Sequence, residues 1–309
     1  IVIYLSLYGV KTDKFNKEII KNVSKINKKI NLSLNEVNYL LNPLNFSINI
    51  STKNPKILLE DKSLDLKDIT SNISLKSFIS NQFSIDDLKI STKEIKIKDL
   101  ISLTRAVEGS PQLFVLDSIT KEGLISTNIN LKFDLDGEIK NNYQITGTVK
   151  KAKFNIFNKV EIDDLNLSFN ISNNQLTLKK IETNLNSIKL KSPLIKIEKK
   201  KDIFFIDGEV ANKEQNFDIN KLKPIFGDLP NNIEIEKIDF NSVNIFSFNV
   251  NKKLKLNNLK LETNLNLENF QIVKNPLNLK TFLPNYTEQV KFKDHKIKIK
   301  LTKNIFDIK

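Results

Sequence analysis

The chain has 309 residues, of which 39% are hydrophobic and 8% aromatic, a composition that excludes a wholly disordered protein and allows a sizeable core. Its formal net charge is +13, but Arg105 is the only arginine, which disfavours a nucleic-acid site built on bidentate arginine contacts. The lack of cysteine excludes disulfides and thiolate metal sites.

The first predicted element is the apolar segment Ile1–Val10, which Ser6 alone interrupts with a strongly polar side chain. A bilayer-spanning helix takes about 20 apolar residues, so this segment is too short to span by itself. Because the sequence contains no Met, we expect a piece of a longer protein and interpret residues 1–10 as the end of a truncated N-terminal transmembrane helix, with Tyr4 and Tyr8 near the interface. A buried first strand and the apolar region of a signal peptide are the alternatives.

Residues 11–30 are predicted to hold an amphipathic helix that begins at Thr12 or Asp13, either of which is a suitable N-cap. Such a helix would lie on a membrane surface or plug the end of a β structure. Its apolar side chains recur at spacings of four and three, which places them on one stripe. They are Phe15, Ile19, Val23, Ile26 and Ile30.

From about Glu36 to Lys309, apolar and polar residues alternate, most regularly in Ile125–Leu135, where Thr127 alone interrupts the apolar side. Alternation of this kind predicts strands with one dry and one wet face. The predicted strands are Asn31–Val37, Phe46–Ser51, Ser63–Ile69, Ile85–Ser91, Glu94–Lys98, Leu124–Leu135, Tyr143–Phe157, Glu161–Asn170, Gln175–Leu185, Ser187–Glu198, Ile203–Val210, Ile233–Phe240, Ser242–Val250, Lys253–Leu267, Phe270–Val273, Val290–Lys293 and Lys296–Thr302.

Between the strands, Asp136-Gly137 and Asp207-Gly208 are typical of hairpin turns, and Asn pairs such as Asn173-Asn174 and Asn257-Asn258 also favour turns. Short helical segments interrupt the strand pattern at four places. They are Leu100–Thr104, Gln112–Thr120, Ile219–Phe226 and Leu277–Leu283.

Two sequence features invite a catalytic or metal interpretation, and neither is favoured. The acidic pairs Asp86-Asp87 and Asp163-Asp164 lack further ligands at coordination spacing, and they recur within the repeated formula Ile-Asp-Asp-Leu, which favours a role in turns. His295 is the only histidine and is expected at the surface in a polar turn. We therefore expect a protein that is not an enzyme and holds no metal or cofactor.

Several segments resemble the AsmA-like and TamB-like families, which are bacterial relatives of bridge-like lipid transfer proteins. In the first 100 residues the apolar segment and the predicted amphipathic helix follow the N-terminal layout of AsmA-like proteins, and later segments resemble the repeating β region of both families. The segments that carry the resemblance are Gly9-Val-Lys-Thr-Asp-Lys-Phe-Asn16, Ile30-Asn-Leu-Ser-Leu-Asn-Glu-Val37, Asn42-Pro-Leu-Asn-Phe-Ser-Ile48, Phe83-Ser-Ile-Asp-Asp-Leu-Lys-Ile90, Phe133-Asp-Leu-Asp-Gly137 and Tyr143-Gln-Ile-Thr-Gly147.

The resemblance implies a mainly β fold: a long, strongly twisted antiparallel sheet over residues 31–309, curled into an elongated open groove, with few short helices. It also implies a single inner-membrane anchor, a periplasmic location for the bulk of the chain, phospholipid as cargo, and a partner protein at the far end. Acyl chains would travel between the inner and outer membranes along the apolar face, and no nucleic acid would bind. The residues expected to line the groove are Ile85, Leu88, Ile90, Ile95, Ile97, Ile125, Ile129, Leu131, Phe133, Leu135, Leu165, Leu167, Phe169, Leu259, Leu261, Leu265 and Leu267.

The alternative is a structural or adhesive β-solenoid or sandwich, in which side chains fill the core and leave no conduit.

Overall fold

The computed structural model describes residues 1–17, 19–21, 31–59, 62–80, 84–107, 110–156, 160–186, 188–217, 234–251, 255–274, 290–302 and 305–308. Within these residues most of the chain forms strands of one long antiparallel sheet, which confirms the predicted mainly β class. The predicted helices Ile219–Phe226 and Leu277–Leu283 lie outside the described residues.

The helices are α1 (Val2–Leu7), α2 (Leu75–Ile79), α3 (Ile97–Val107) and α4 (Pro111–Ile119). The strands are β1 (Val10–Thr12), β2 (Asn31–Ser33), β3 (Val37–Asn42), β4 (Ser47–Lys53), β5 (Lys56–Leu59), β6 (Lys62–Ser74), β7 (Ile85–Thr92), β8 (Ile95–Lys96), β9 (Thr120–Lys132), β10 (Gln144–Ile156), β11 (Val160–Ser172), β12 (Gln175–Leu185), β13 (Ile188–Lys200), β14 (Ile203–Phe217), β15 (Glu234–Asn251), β16 (Leu256–Lys274), β17 (Val290–Thr302) and β18 (Ile305–Ile308).

The chain divides into two compact units, which are described separately. Unit 1 comprises Ile1–Ala152 and Ser168–Asn173, and unit 2 comprises Lys153–Leu167 and Asn174–Lys309. In unit 1 the strands pair in the order β1, β3, β4, β6, β7, β9 and β10, while β2 and β5 pair with each other and extend from β6. In unit 2 each strand from β12 to β18 pairs with the next one along the chain.

The best-packed part of unit 1 lies where α3 meets the sheet. Ile97 and Ile101, one helical turn apart, are 7% and 4% exposed, and α3 packs against β9, β8 and β6. A Cβ atom on Gly123 would lie 2.7 Å from the Ile97 Cδ1 atom, so β9 needs glycine there for the helix to approach. Arg105 in α3 pairs with Asp117 in α4, which ties the two helices together.

Pairs of polar residues inside the strands form β-bulges. In β16, Leu256 lies opposite Val250 and Leu261 lies opposite Phe246, so both leucines share a face although they are five residues apart. The doublet Asn257-Asn258 lies between them and forms a β-bulge, in which two residues of one strand lie opposite one residue of the neighbouring strand. The extra residue returns the apolar side chains that follow to the same face as Leu256. The corresponding doublets are Lys67-Asp68, Asp86-Asp87, Lys150-Lys151, Asp163-Asp164, Lys179-Lys180, Asn257-Asn258, Glu268-Asn269 and Lys293-Asp294.

The backbone at these doublets is irregular in one of two ways. In five of them the second residue has a positive φ of 49° to 55°. At the others the register shifts by one residue, as between Leu66 and Asp68 of β6 where it pairs with β7. The predicted turn role of Asp86-Asp87, Asp163-Asp164 and Asn257-Asn258 is therefore wrong, since all three pairs lie within strands.

Several predicted boundaries also change. Asp207-Gly208 is not a hairpin turn but lies within β14, where Gly208 is opposite Phe246. Strands predicted as separate pairs are continuous in β15, β16 and β17, so His295 lies in a strand opposite Leu267 and not in a turn. Asp136-Gly137 does form a turn, with Gly137 at φ 86°.

At the N-terminus, Val2–Leu7 forms a helix whose side chains are mostly exposed, which excludes the alternative of a buried first strand. The helix predicted from Thr12 starts later, because Thr12 ends β1 opposite Val37, and helical residues follow at 16–17 and 19–21. Residues 22–30 lie outside the described part, so the amphipathic helix stays a prediction. Among the described residues, none of the helices has the length and apolar character needed to cross a bilayer.

Candidate functional site

The predicted lining residues of β7, β8 and β9 lie on one face of the unit 1 sheet. Leu88 is directly opposite Leu131, and Ile90 is opposite Ile129. Ile95 is opposite Ile125. The polar pair Lys93-Glu94 supplies the one extra residue that brings Ile95 onto the same face as Ile90. Directly opposed residues on neighbouring antiparallel strands project from the same face, so these six side chains form one continuous surface.

That surface extends across the remaining strands of unit 1. Ile90 is opposite Ile69 of β6, Ile73 of β6 is opposite both Ile85 and Ile48, and Ile50 of β4 is opposite Tyr39 of β3. The β3, β4 and β6 members were not among the predicted lining residues, although the same alternation marks them. We call this surface the first apolar face: Tyr39, Leu41, Ile48, Ile50, Ile69, Ile73, Ile85, Leu88, Ile90, Ile95, Ile125, Ile129 and Leu131.

Three predicted lining residues lie elsewhere or at the margin. Ile97 is the first residue of α3 and is buried where the helix packs against the sheet, because the helix starts three residues earlier than predicted. Leu135 is 56% exposed in the β9–β10 turn, and Phe133 lies beyond the end of β9, where it bridges to Ile139.

A glycine accommodates Phe169, another predicted lining residue, against β10. A Cβ atom on Gly147 would lie 2.5 Å from the Phe169 ring and 2.3 Å from the Ser126 carbonyl oxygen. The ring therefore occupies space that any other residue at position 147 would fill, and it covers the backbone that the glycine exposes. Leu165 and Leu167 precede Phe169 in β11 at alternate positions and are half-buried.

Unit 2 carries a second surface of the same kind. Leu178 is opposite Ile195, Ile195 is opposite Gly208, and Gly208 is opposite Phe246. The second apolar face consists of Leu176, Leu178, Leu190, Ile195, Ile197, Ile206, Phe240, Phe246, Phe248, Leu259, Leu261, Leu265, Leu267 and Leu301. It includes the predicted lining residues Leu259, Leu261, Leu265 and Leu267.

Four polar side chains interrupt the second apolar face with a hydrogen-bonded row. The Ser242 hydroxyl donates to Asn212 Oδ1, Asn244 Nδ2 donates to Ser242 Oγ at 2.9 Å, and the Thr263 hydroxyl donates to Asn244 Oδ1 at 2.9 Å. Asn212 and Asn244 also donate to the backbone carbonyl groups of Phe240 and Val210. The members therefore satisfy one another where water is largely excluded, as buried polar groups require.

Most members of both faces are neither buried nor fully exposed. The named members of the first apolar face are half-buried, and so are those of the second apart from Leu267, which is 9% exposed. At one end of the first apolar face the residues in register with it are buried, among them Val37 and Leu66, each 1% exposed. Among the described residues of the whole chain, only eleven apolar side chains are buried: Leu32, Val37, Pro55, Leu64, Leu66, Ile97, Ile101, Ala152, Ile181, Ile188 and Leu267. The elements that the structure describes thus leave much of the two faces accessible.

The opposite face of unit 2 carries charged side chains together with exposed apolar ones, among them Phe205 and Ile245. Glu262 accepts from Lys298 at 2.7 Å and lies 3.3 Å from Lys300, and these ammonium groups lower the pKa of the carboxyl below its ordinary value. Lys153 contacts Glu161 and Asp163 at 2.7 and 3.0 Å, and these hydrogen bonds raise the pKa of the Lys153 ammonium. A shallow depression of about 620 Å³ on unit 2 is lined largely by this polar face, including Lys196, Asp207 and Glu209.

No cluster of acidic or histidine side chains suited to a metal ion occurs in the part of the chain that the structure describes. Asp87 is instead bound within the sheet, where its Oδ2 atom accepts from Asn72 at 2.7 Å. Comparison of the chain with protein-family models, with curated proteins and with solved structures gives no match.

Proposed function

We propose that this protein transfers lipid without enzymatic chemistry, by carrying phospholipid acyl chains along its apolar sheet faces. The observation that carries the proposal is the accessibility of those faces. Leu88 with Leu131 and Ile90 with Ile129 form aligned apolar pairs whose side chains are only partly buried.

The energetics of an exposed acyl chain favour such a surface. Moving a methylene group from an apolar environment into water costs about 0.8 kcal/mol, so a 16-carbon chain faces roughly 12 kcal/mol in the open. A row of aliphatic side chains that an acyl chain can lie along lowers this cost at each step. The charged opposite face, with ion pairs such as Glu262–Lys298, keeps the sheet in solution while the apolar face holds the cargo.

In the full proposal the sheet curls into a groove, α1 belongs to a single inner-membrane anchor, and the bulk of the chain is periplasmic. Phospholipid then moves between the inner and outer membranes and supports outer-membrane biogenesis, with a further protein receiving it at the far end. The mostly exposed apolar side chains of α1, among them Ile3 and Leu7, support the membrane contact.

A filled-core structural or adhesive protein is the competing function. It requires the apolar faces to be covered by other side chains of the same chain. The incomplete burial of the first apolar face, including Ile50, Ile90 and Ile129, favours the lipid carrier over this alternative.

A matched pair of variants on β9 tests the proposal. Ile129 belongs to the first apolar face, and its neighbour Asn128 is exposed on the opposite face of the same strand. We expect native mass spectrometry of the gently purified chain to detect copurifying phospholipid in the wild type and in Asn128→Glu, and to detect much less in Ile129→Glu. Ile129→Asn, which adds no charge, serves if the glutamate variant loses its β circular dichroism signal.

Transfer of fluorescent phospholipid between vesicles should follow the same ranking. A wild-type protein that retains no lipid, or equal retention by Ile129→Glu and Asn128→Glu, would contradict the proposal.

A further inference from the structure

Exposed apolar side chains gather at one end of the unit 1 sheet. Leu44, in the turn between β3 and β4, is 96% exposed, and Phe46 in the same turn is 52% exposed. Ile79, at the end of α2, is 72% exposed. Side chains this exposed contribute little to the packing of the turn or the helix, and a turn that faces solvent normally carries polar residues.

The topology places α2 beside the β3–β4 turn. β6 runs antiparallel to β4 with Ser47 opposite Ser74, so β6 ends where β4 begins. α2 follows β6 directly, and the Leu75 N–H donates a hydrogen bond of 3.0 Å to the Phe46 carbonyl oxygen. The exposed residues of the turn and of α2 therefore lie at the same end of the sheet.

The same reasoning places α1 at this end. β1 runs antiparallel to β3, with Val10 opposite Tyr39 and Thr12 opposite Val37. The chain before Val10 thus lies toward the end at which β3 meets β4, and α1 contacts β3. From β1 to β6 the sheet spans three strand spacings, about 15 Å, so α1, the β3–β4 turn and α2 are neighbours.

We propose that this end of the sheet lies on the surface of a lipid bilayer, where the β3–β4 turn and α2 add a peripheral contact to that of α1, and we call it the membrane rim: Val2, Ile3, Leu7, Leu44, Phe46 and Ile79. The side chains stand on three separate protrusions, which suits insertion into a fluid bilayer and not docking against one rigid protein surface. The membrane rim rests on the proposed function, because it would place one end of the first apolar face at the membrane that supplies the lipid.

The charges at the rim match an anionic bilayer. Residues 1–12, 42–47 and 74–80 contain Lys11 and Lys76 and no Asp or Glu. The acidic residues at this end of the sheet lie on the far side of β6 from α1, at the start of β7 and in the β9–β10 turn: Asp86, Asp134, Asp136 and Glu138. Bilayers rich in phosphatidylglycerol attract such lysines, and no carboxylate in these three segments opposes the approach. Tyr4 and Tyr8, whose ring centroids are 5.4 Å apart, add the aromatic residues that favour the membrane interface.

Tryptophan fluorescence tests the rim without background, because the chain contains no Trp. We expect the full chain with Leu44→Trp to show a blue-shifted emission when vesicles of phosphatidylethanolamine and phosphatidylglycerol are added, and quenching by brominated lipid. Ile203→Trp, at an exposed apolar position where β14 begins, is the matched control and should show neither. Absence of the shift in Leu44→Trp, or an equal shift in the control, would overturn the rim.

Vesicle flotation gives a second readout. The double variant Leu44→Glu, Ile79→Glu should bind the same vesicles roughly tenfold more weakly than the wild type, since each exposed apolar side chain loses its transfer into lipid. The control Ile203→Glu, Val243→Glu alters exposed apolar residues on the opposite face of unit 2 and should bind as the wild type does. Equal flotation of both double variants would contradict the rim.

The two proposals fail separately. A protein that retains phospholipid but binds vesicles independently of Leu44 and Ile79 loses the rim and keeps the lipid-carrier function. A protein that binds vesicles through the rim yet retains no phospholipid, in wild type or variant, loses the carrier function and keeps the rim.

Discussion

The backbone N–H of Thr127 donates a hydrogen bond of 2.9 Å to the Thr92 hydroxyl, in register with the first apolar face and where the pairing of β7 with β9 ends. Both residues are 8% exposed. Thr127 is the one interruption of the apolar alternation in Ile125–Leu135, and its own hydroxyl also lies 3.4 Å from the Thr92 hydroxyl. A hydroxyl at position 92 satisfies a backbone donor that would otherwise lie buried without a partner.

Thr92→Val should therefore destabilise the protein by about 1–3 kcal/mol, because it leaves the Thr127 N–H unsatisfied at a buried position. Thr127→Val should cost much less, since it removes only a hydroxyl that lies 3.4 Å from the Thr92 hydroxyl and keeps the backbone bond. Urea unfolding followed by circular dichroism measures both. Thr92→Ser keeps the acceptor and serves as the control, and equal losses in the two valine variants would contradict this assignment.

Gly147→Ala should be more destabilising than Gly208→Ala. At position 147 a methyl group would lie 2.3 Å from the Ser126 carbonyl oxygen, which belongs to the backbone and cannot move aside cheaply. At position 208 the nearest atoms are side-chain carbons of Ile195 and Phe246, at 2.9 and 3.0 Å, which can rotate. We expect about 1–3 kcal/mol for Gly147→Ala and less for Gly208→Ala in thermal unfolding, and the reverse order would contradict the packing.

Lys180→Gly should leave the free energy of unfolding unchanged or raise it by up to about 1 kcal/mol. Lys180 has a φ of 52°, a conformation that costs an L-residue with a side chain roughly 1–2 kcal/mol and glycine almost nothing. Lys189→Gly, an exposed lysine of the neighbouring β13 without a positive φ, should lower it by about 0.5–1 kcal/mol. Equal effects of the two substitutions on the free energy of unfolding in urea would show that the positive φ at Lys180 stores no strain.

Glu262 should make stability depend on pH. Its pKa is lowered by hydrogen bonds from Lys298 and Lys300, so its contribution is present at neutral pH and is lost as the pH falls through the pKa of the folded state. Glu262→Gln should be less stable than the wild type at pH 7, by a small amount because the pairs are accessible to solvent, and equal to it in strong acid. Unfolding midpoints across this range test the sign, and a difference that persists in acid would contradict it.

The sequence predicts the class of fold well because alternation is a local property. Gln175–Leu185 is predicted to the residue, and most other strands are placed to within a few residues at each end. It also predicts most of the first apolar face in β7 to β9, since Leu88, Ile90, Ile129 and Leu131 alternate with polar residues. What one strand cannot show is its partner, and the register alone joins these residues to Ile48 and Ile69.

The main errors come from one physical cause. A pair of polar residues such as Asp163-Asp164 or Asn257-Asn258 can reverse the chain or bulge a strand, and both use the same backbone conformations. The distinguishing signal is the spacing of three between the flanking apolar residues, as from Ile162 to Leu165, with alternation resuming afterwards. The prediction that Ile97 lines the groove is wrong for another reason. An isoleucine is as well suited to the buried side of a helix as to the apolar side of a strand.

The bulges also bear on how such a sheet tolerates changes in length. In a regular strand, inserting one residue turns every following side chain onto the wrong face. At Asn257-Asn258 or Glu268-Asn269 the chain already accommodates a surplus residue relative to β15 without reversing the faces on either side. Single-residue insertions and deletions should therefore accumulate at these doublets during evolution, so that strands lengthen and shorten while the apolar surface stays continuous.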